Sequence, residues 1–230
     1  FCKHGKAVLT PEQQSFTITA MMIGVLLGGR LGYSLFYALE ETLHRPWVIF
    51  QIWKGGMASH GGFIGVCIAT LWYAGQSKQS PFPIGDLIVT IVPPGLFFGR
   101  IANFINGELW GKTTEVSWGI LFPKAPDFAY GIARHPSQIY AAVLEGLIPF
   151  IYIQWRFWKT DLIIKKPGQL TGEFLILYSL SRILNEFFRE PDASLIVGMS
   201  RGQFYSFFLI LGGIWLILLA RKRAIQPFSE

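Results

Sequence analysis

Four polar residues stand in strongly apolar surroundings in this chain: Arg30, His60, Arg100 and Arg182. The densest polar stretch, Gly99-Arg100-Ile101-Ala102-Asn103-Phe104-Ile105-Asn106-Gly107-Glu108-Leu109-Trp110-Gly111, closes a run (84–98) that contains no Lys or Arg. On a helix, Arg100, Asn103 and Asn106/Gly107 recur at three- and four-residue steps and share a face. An arginine turned to lipid costs on the order of several kcal/mol, so this face is expected to look inward. Paired guanidiniums suit a phosphate, because they stay charged and donate bidentately where water is scarce; the lipid headgroup layer supplies such a phosphate. His60, between Gly55-Gly56 and Gly61-Gly62, is either a hydrogen-bonded structural residue or, beside arginines, a general base. Tyr178, Arg182, Glu186 and Arg189 follow steps of four, four and three and line one stripe, on which Glu186 is expected to pair with Arg182 or Arg189 and hold it in place.

The elements that must position these residues are apolar helices. The 230 residues are 51% hydrophobic and only 15% charged, where soluble domains carry about a quarter charged. Several apolar windows approach the length of a bilayer span, so the chain reads as an all-α, polytopic integral membrane protein. No alternating period recurs that would suggest an outer-membrane barrel. Six membrane helices are predicted, over about 16–39, 56–74, 84–106, 137–158, 169–188 and 202–220. Thr10-Pro11-Glu12-Gln13 is a helix start, and Pro93-Pro94-Gly95 must kink the third helix, which is tolerated where neighbouring helices satisfy the freed backbone. The organisation expected is a polar cytoplasmic segment (1–15), three helices carrying His60 and Arg100 (16–106), an ordered extracytoplasmic loop (107–136), three helices carrying Tyr178 and Arg182 (137–220) and a basic cytoplasmic tail (221–230).

Alternating the loops places ten basic residues on one side, including Arg156 and the tail Arg221-Lys222-Arg223, and seven on the other. The richer side is expected to be cytoplasmic. At about 1.5 Å per residue, Arg100 and Arg182 then lie roughly 9 Å, Arg30 about 12 Å and His60 about 6 Å from helix ends on the outer side. The formal charge of +6 is spread over loops and forms no continuous patch, which fits topology and anionic lipid and leaves nucleic-acid binding without support. Gly24/Gly28 and Gly28/Gly32 are close-packing faces, and His135-Pro136-Ser137 reads as a helix start. Cys2 and Cys67 have no partner at metal-ligand spacing; no metal and no cofactor is expected. Metalloprotease, P-loop and serine-hydrolase motifs are missing from the sequence. Because the chain begins at Phe1, it reads as processed or partial.

Four motifs, in order, resemble the bacterial prolipoprotein diacylglyceryl transferase family: His60-Gly61-Gly62 with Ile64-Gly65; Gly99-Arg100-x-x-Asn103-Phe104-x-Asn106-Gly107-Glu108-x-x-Gly111; Arg134-His135-Pro136-Ser137-Gln138-x-Tyr140; and Glu186-Phe187-Phe188-Arg189-x-Pro191-Asp192. The similarity runs from about Leu26 to about Ala220. The resemblance implies transfer of the diacylglyceryl group of phosphatidylglycerol to the lipobox cysteine thiol of a lipoprotein precursor, giving a thioether and glycerol-1-phosphate, in the bacterial inner membrane with the site towards the extracytoplasmic side. It implies that Arg100 and Arg182 hold the phosphate, that His60 takes the thiol proton or organises the site, and that Tyr178 and Asn103 orient the lipid. Arg30 and Glu186 complete the candidate substrate-binding set. The family usually carries one more N-terminal helix with an important tyrosine, which would precede this chain. Where some members have an acid after Tyr140, this chain has Ala141. The partners implied are phosphatidylglycerol, the precursor's signal peptide and membrane lipid. The rival readings are a transporter or binding protein for an anionic lipid or solute, and a non-enzymatic scaffold for which His60 and Arg182 would be dispensable.

Overall fold

Thr10 and Gln13 begin the first helix by exchanging hydrogen bonds. The Gln13 side-chain oxygen accepts from the Thr10 N–H at 2.9 Å and Thr10 Oγ1 accepts from the Gln13 N–H at 3.3 Å. This reciprocal box satisfies two amides that a helix start leaves open, and Pro11 supplies a first residue with no N–H to satisfy. A computed structural model describes residues 9–36, 38–51, 53, 56, 58–191 and 195–225. Among the described residues the chain is helical, with isolated bridges but no strand. It divides into two compact units, one ending at Ile84 and the other beginning at Gly85.

In the first unit, α1 (Pro11–Phe36) is followed by the short α2 (Leu39–His44), a 3-10 turn (Pro46–Phe50) and α3 (Ser59–Ser77). α1 and α3 meet through the predicted glycine face. A Cβ on Gly24 would lie 2.6 Å from the Gly65 carbonyl oxygen, and one on Gly32 would lie 2.8 Å from Gly61 Cα. Gly28 and Gly61 likewise leave no room for a methyl group. Without a hydrophobic drive between helices in lipid, this close backbone approach is what lets dispersion hold them. α1 begins about a turn before the expected 16–39, because the capping box starts the helix ahead of its first apolar residue.

The second unit takes α4 (Pro81–Ile105) from Gly85 onward. It continues with α5 (Ser137–Ala141), a π-helical turn (Ala142–Leu147) and α6 (Ile148–Lys159), which run on as one helix. Then come the one-turn α7 (Leu162–Lys165), α8 (Gln169–Glu186) and α9 (Arg201–Ile225). α8 and α9 cross at glycine: a Cβ on Gly172 would stand 2.6 Å from the Gly213 oxygen.

Two buried polar contacts tie this unit together. Asp86 of α4, fully buried, accepts from the N–H groups of Gly168 (2.8 Å) and Thr171 (2.7 Å) and from the Thr171 hydroxyl (2.7 Å). It thereby caps the start of α8 from another helix. Glu173 of α8 takes both arms of Arg156 at 2.8 and 2.6 Å, and bonds from Tyr152 and Gln169. Arg156, expected among the free loop charges, is therefore a helical residue of α6 held in an ion pair.

Helices stand at all six expected positions. Three of them, Pro11–Leu35, Pro81–Ile105 and Arg201–Arg223, are long and apolar enough to cross a membrane. Their outward side chains include Met22, Leu27, Ile91, Phe98, Trp215 and Leu218, a surface suited to lipid.

α4 remains helical through Pro93 and Pro94. Pro94 has no N–H for the carbonyl of Thr90, four residues earlier. Gln154 of α6 donates to that carbonyl at 2.9 Å, so a neighbouring helix satisfies the freed backbone as the sequence requires. Gln154→Leu is expected to destabilise the protein by about 1–2 kcal/mol, the range for orphaning a buried acceptor. In a Pro94→Ala background the effect should shrink, since the restored N–H serves Thr90. Denaturant unfolding in detergent gives the double-mutant cycle, and equal effects in both backgrounds would refute the role.

Candidate active site

The second unit brings Arg100 and Arg182 onto one carboxylate that the sequence reading did not anticipate. Glu145, with no exposed surface, accepts from Arg100 Nε (3.2 Å) and Nη2 (2.9 Å) on Oε2. Its other oxygen accepts from Arg182 Nη1 (3.2 Å) and Asn185 Nδ2 (3.4 Å). The three charged groups come from α4, the π turn and α8.

Local sequence explains how each arrives. The π turn widens the helix by one residue per turn, a feature that recurs at functional sites. It carries Glu145 to the buried side, and Gly146 follows it. A Cβ on Gly146 would lie 2.7 Å from Phe97 Cα and Cβ, so α4 can rest directly on the π turn. Arg100, three residues beyond Phe97 and thus on the same face, then reaches the carboxylate. On α8 the predicted stripe forms. Glu186 pairs with Arg182 (i,i+4) and with Arg189 at 3.4 Å, and Tyr178 stacks on Phe174. α9 contributes Gly202, whose Cβ would fall 2.6 Å from Glu186 Oε1 and 2.9 Å from Arg182 Nε; its bareness makes space for the pair.

Arg100 spends two of its five N–H groups on Glu145 and Arg182 one there and one on Glu186. Among the described residues the remaining donors of both guanidiniums take no protein acceptor, and neither side chain is fully buried (19% and 12% exposed).

Other predicted residues are engaged differently. The Asn103 amide and that of Asn106 donate to Glu108 Oε1 at 2.9 and 3.3 Å, closing the end of α4. Arg30, expected in the substrate set, donates to the backbone carbonyls of Ile49 (2.9 Å), Gly56 (3.0 Å) and Val48, and lies over the Tyr33 ring. It is buried in the first unit and organises the segment between α1 and α3. His60 is the second residue of α3; its side chain lies outside the described residues, as do Cys2 and Asp192. Among the described residues no group of three His, Cys, Asp or Glu side chains could hold a metal.

The long loop 107–136 is ordered around Arg134. Its guanidinium donates to both Asp127 oxygens (Nε, 2.9 and 3.1 Å), to the Gly111 carbonyl (2.9 Å) and to Glu190 (3.1 Å). His135 Nδ1 lies 3.2 Å from the Tyr140 hydroxyl, which accepts from Trp118 Nε1 at 2.7 Å. α5 starts at Ser137 as the sequence predicts, and Ser137 and Gln138 donate to the carbonyls of Leu109 and Glu108. These bonds hold a left-handed pair, Gly107 (φ 62°) and Leu109 (φ 58°). The signature's glycine is therefore where the chain must leave α4 with positive φ.

The missed residue had a signal. Glu145 is the one acid between Pro136 and Lys159, an isolated carboxylate in an apolar run. Like Arg100, such a charge is costly to turn to lipid and is expected to face inward.

Comparison with known proteins decides the family. Residues 3–219 match the family model described as prolipoprotein diacylglyceryl transferase. The chain belongs to this family. Among its relatives, the phosphatidylglycerol–prolipoprotein diacylglyceryl transferase of Rhodospirillum centenum is 44% identical over 215 residues, 92% of this chain and 76% of the relative. Those of Zymomonas mobilis (42% over 221 residues; 95% and 75%) and Idiomarina loihiensis (45% over 207; 87% and 74%) are similar to it to the same degree. Transferase membership is thus carried by nearly the whole chain, both units included.

Two loop carboxylates report on the site's border. The Arg134 guanidinium holds Asp127 below the usual carboxylate range, and the Asn103 and Asn106 amides do the same for Glu108. A carboxyl lowered in the folded state contributes stability above its unfolded pKa and loses it as pH falls through the folded value. Thermal stability should therefore decline below roughly pH 4. Asp127→Asn should flatten that acid limb; a limb of unchanged slope would show that the Arg134 contact contributes nothing.

Proposed function

We infer that this protein transfers the diacylglyceryl group of phosphatidylglycerol to the lipobox cysteine thiol of a lipoprotein precursor. The observation that carries the reading is the convergence of two guanidiniums from α4 and α8 on one buried carboxylate, with N–H groups to spare. Family membership and the names of the relatives support the substrates.

In the reaction the cysteine sulfur attacks the glyceryl carbon that bears the phosphate ester. A C–S bond forms, the C–O bond breaks, the thiol proton leaves, and glycerol-1-phosphate departs with the bonding pair. The bound phosphodiester carries one negative charge and the departing phosphate gathers a second. Donors fixed on the phosphate gain most as that charge develops, which is the differential binding that accelerates a step. Arg100 and Arg182 hold the phosphate in this account, and Glu186 aims Arg182. Tyr178 and Asn103 orient the lipid and His60 receives the thiol proton. The nucleophile comes with the substrate, and a thiol near its ordinary pKa of about 8.5 needs only modest activation.

The fold is read as six membrane helices in the bacterial inner membrane. The Arg134-centred loop then lies on the extracytoplasmic side, where a translocated precursor is still anchored by its signal peptide, and the tail Arg221-Lys222-Arg223 lies in the cytoplasm.

Membranes incubated with phosphatidylglycerol and a lipobox peptide should yield a thioether-linked lipid. Arg100→Ala and Arg182→Ala should each lower the rate by at least about a hundredfold, the scale of one lost transition-state donor, counted per molecule of folded protein because losing a member of the triad also destabilises the fold. Lysine at either position should recover only part, for want of the bidentate fork. Full activity in both alanine variants would defeat the assignment and leave an anion transporter or binding protein as the better reading.

A further inference from the structure

Glu145 presents a physical problem that the clamp alone does not explain. A carboxylate set between the two groups that are to grip an anion takes up donors and cancels charge. A merely structural partner for Arg100 and Arg182 could have been a backbone carbonyl, as it is for Arg30. Instead the π turn and Gly146 deliver a full negative charge, wholly buried, one oxygen to each guanidinium. Arg100, Arg182 and Glu145 together carry one net positive charge, and Glu186 is shared with Arg189.

We propose that Glu145 is a positioning residue that sets the charge of the guanidinium pair to match a phosphodiester monoanion and to release a phosphomonoester dianion. The inference rests on the transferase reading above and deepens it. One substrate charge becomes two in the leaving group. Two uncompensated arginines in a poorly hydrated place would hold that dianion far more tightly than the incoming diester, because the attraction scales with the product of the charges and is weakly screened there. Product release would then limit turnover. With Glu145 ionised between them, the pair retains the directional donors needed at the transition state while the net field on the departing product is halved. Asn185, buried behind the carboxylate and donating to Oε1, fixes the orientation in which each oxygen faces its own arginine.

The probes are glycerol-1-phosphate, a dianion near neutral pH, and its methyl ester, a monoanionic diester, each as a competitor of phosphatidylglycerol on the full-length protein in membranes. In the unaltered protein the two should inhibit within about threefold of one another. In Glu145→Gln, which keeps the shape and removes the charge, the monoester should gain at least tenfold on the diester. Its kcat should fall more than its KM rises. Glu145→Asp should keep the unaltered ratio even where kcat drops. A Glu145→Gln ratio equal to that of the unaltered protein would overturn the proposal, as would an unaltered protein that already prefers the monoester tenfold. The latter measurement needs no variant to fold. If neither compound competes with phosphatidylglycerol, the phosphate clamp itself is wrong, and that failure is distinct from a clamp that binds both without discrimination.

Discussion

A buried carboxylate shared by two arginines is the constraint from which the arrangement of the second unit follows. Isolated, any of the three charges would carry a large desolvation penalty; together they are tolerable only while each stays in contact with the others. α4, the helix 137–159 and α8 therefore cannot slide or rotate independently without uncovering a charge. Removing one member is expected to cost several kcal/mol, even though such a triad adds little net stability over a well-packed apolar trio. The triad is accordingly better understood as a device that fixes geometry than as a source of stability. The supporting contacts agree with that. Gly146 brings α4 against the π turn, Gly202 makes room for the Arg182–Glu186 pair, and Asn185 holds the carboxylate from behind.

The polar contacts around the triad share a pattern. Each satisfies a group that a helix end, a proline or irregular loop backbone leaves open, and each does so from a different element. Asp86 caps α8, Gln154 serves the Thr90 carbonyl opposite Pro94, and Ser137 and Gln138 take the carbonyls of residues 108 and 109. In hydrocarbon an unmatched backbone group has no water to turn to, so these contacts are obligatory wherever irregular backbone lies within the apolar layer. They also hold the irregular backbone at the end of α4 and the start of α5.

Much of this was legible in the sequence because it is local or periodic. The helix start at Thr10-Pro11-Glu12-Gln13, the glycine face of α1, the start of α5 at Ser137 and the α8 stripe with Glu186 beside Arg182 and Arg189 all follow from spacing alone. Arg100 and Arg182 were legible as partners because each is a charge that lipid would reject. Glu145, a lone acid in an apolar run, carries the same signal as the arginines. Its orientation could not be read at all, since an α-helical period misplaces residues past a π turn. The partners of Arg30 were hidden for a related reason. A buried arginine implies acceptors, and the sequence does not reveal that backbone carbonyls from 48, 49 and 56 supply them. Asn103 likewise shares a helix face with Arg100, yet the chain reversal at Gly107 brings Glu108 back onto its amide.

The two arginine environments differ in kind. Arg30 donates to the backbone carbonyls of Val48, Ile49 and Gly56, which engage its donors in several directions in a buried setting. Arg100 and Arg182 end on a carboxylate, which neutralises part of their charge but occupies only one edge of each fork. A group meant to stay put is better served by the first arrangement, since it loses donors rather than charge. A group meant to exchange partners during a reaction needs spare donors and a field weak enough to be reversed by an arriving or departing anion. The second arrangement provides both with side chains already oriented, so that on the proposed reaction no reorganisation would accompany the charge developing on the phosphate.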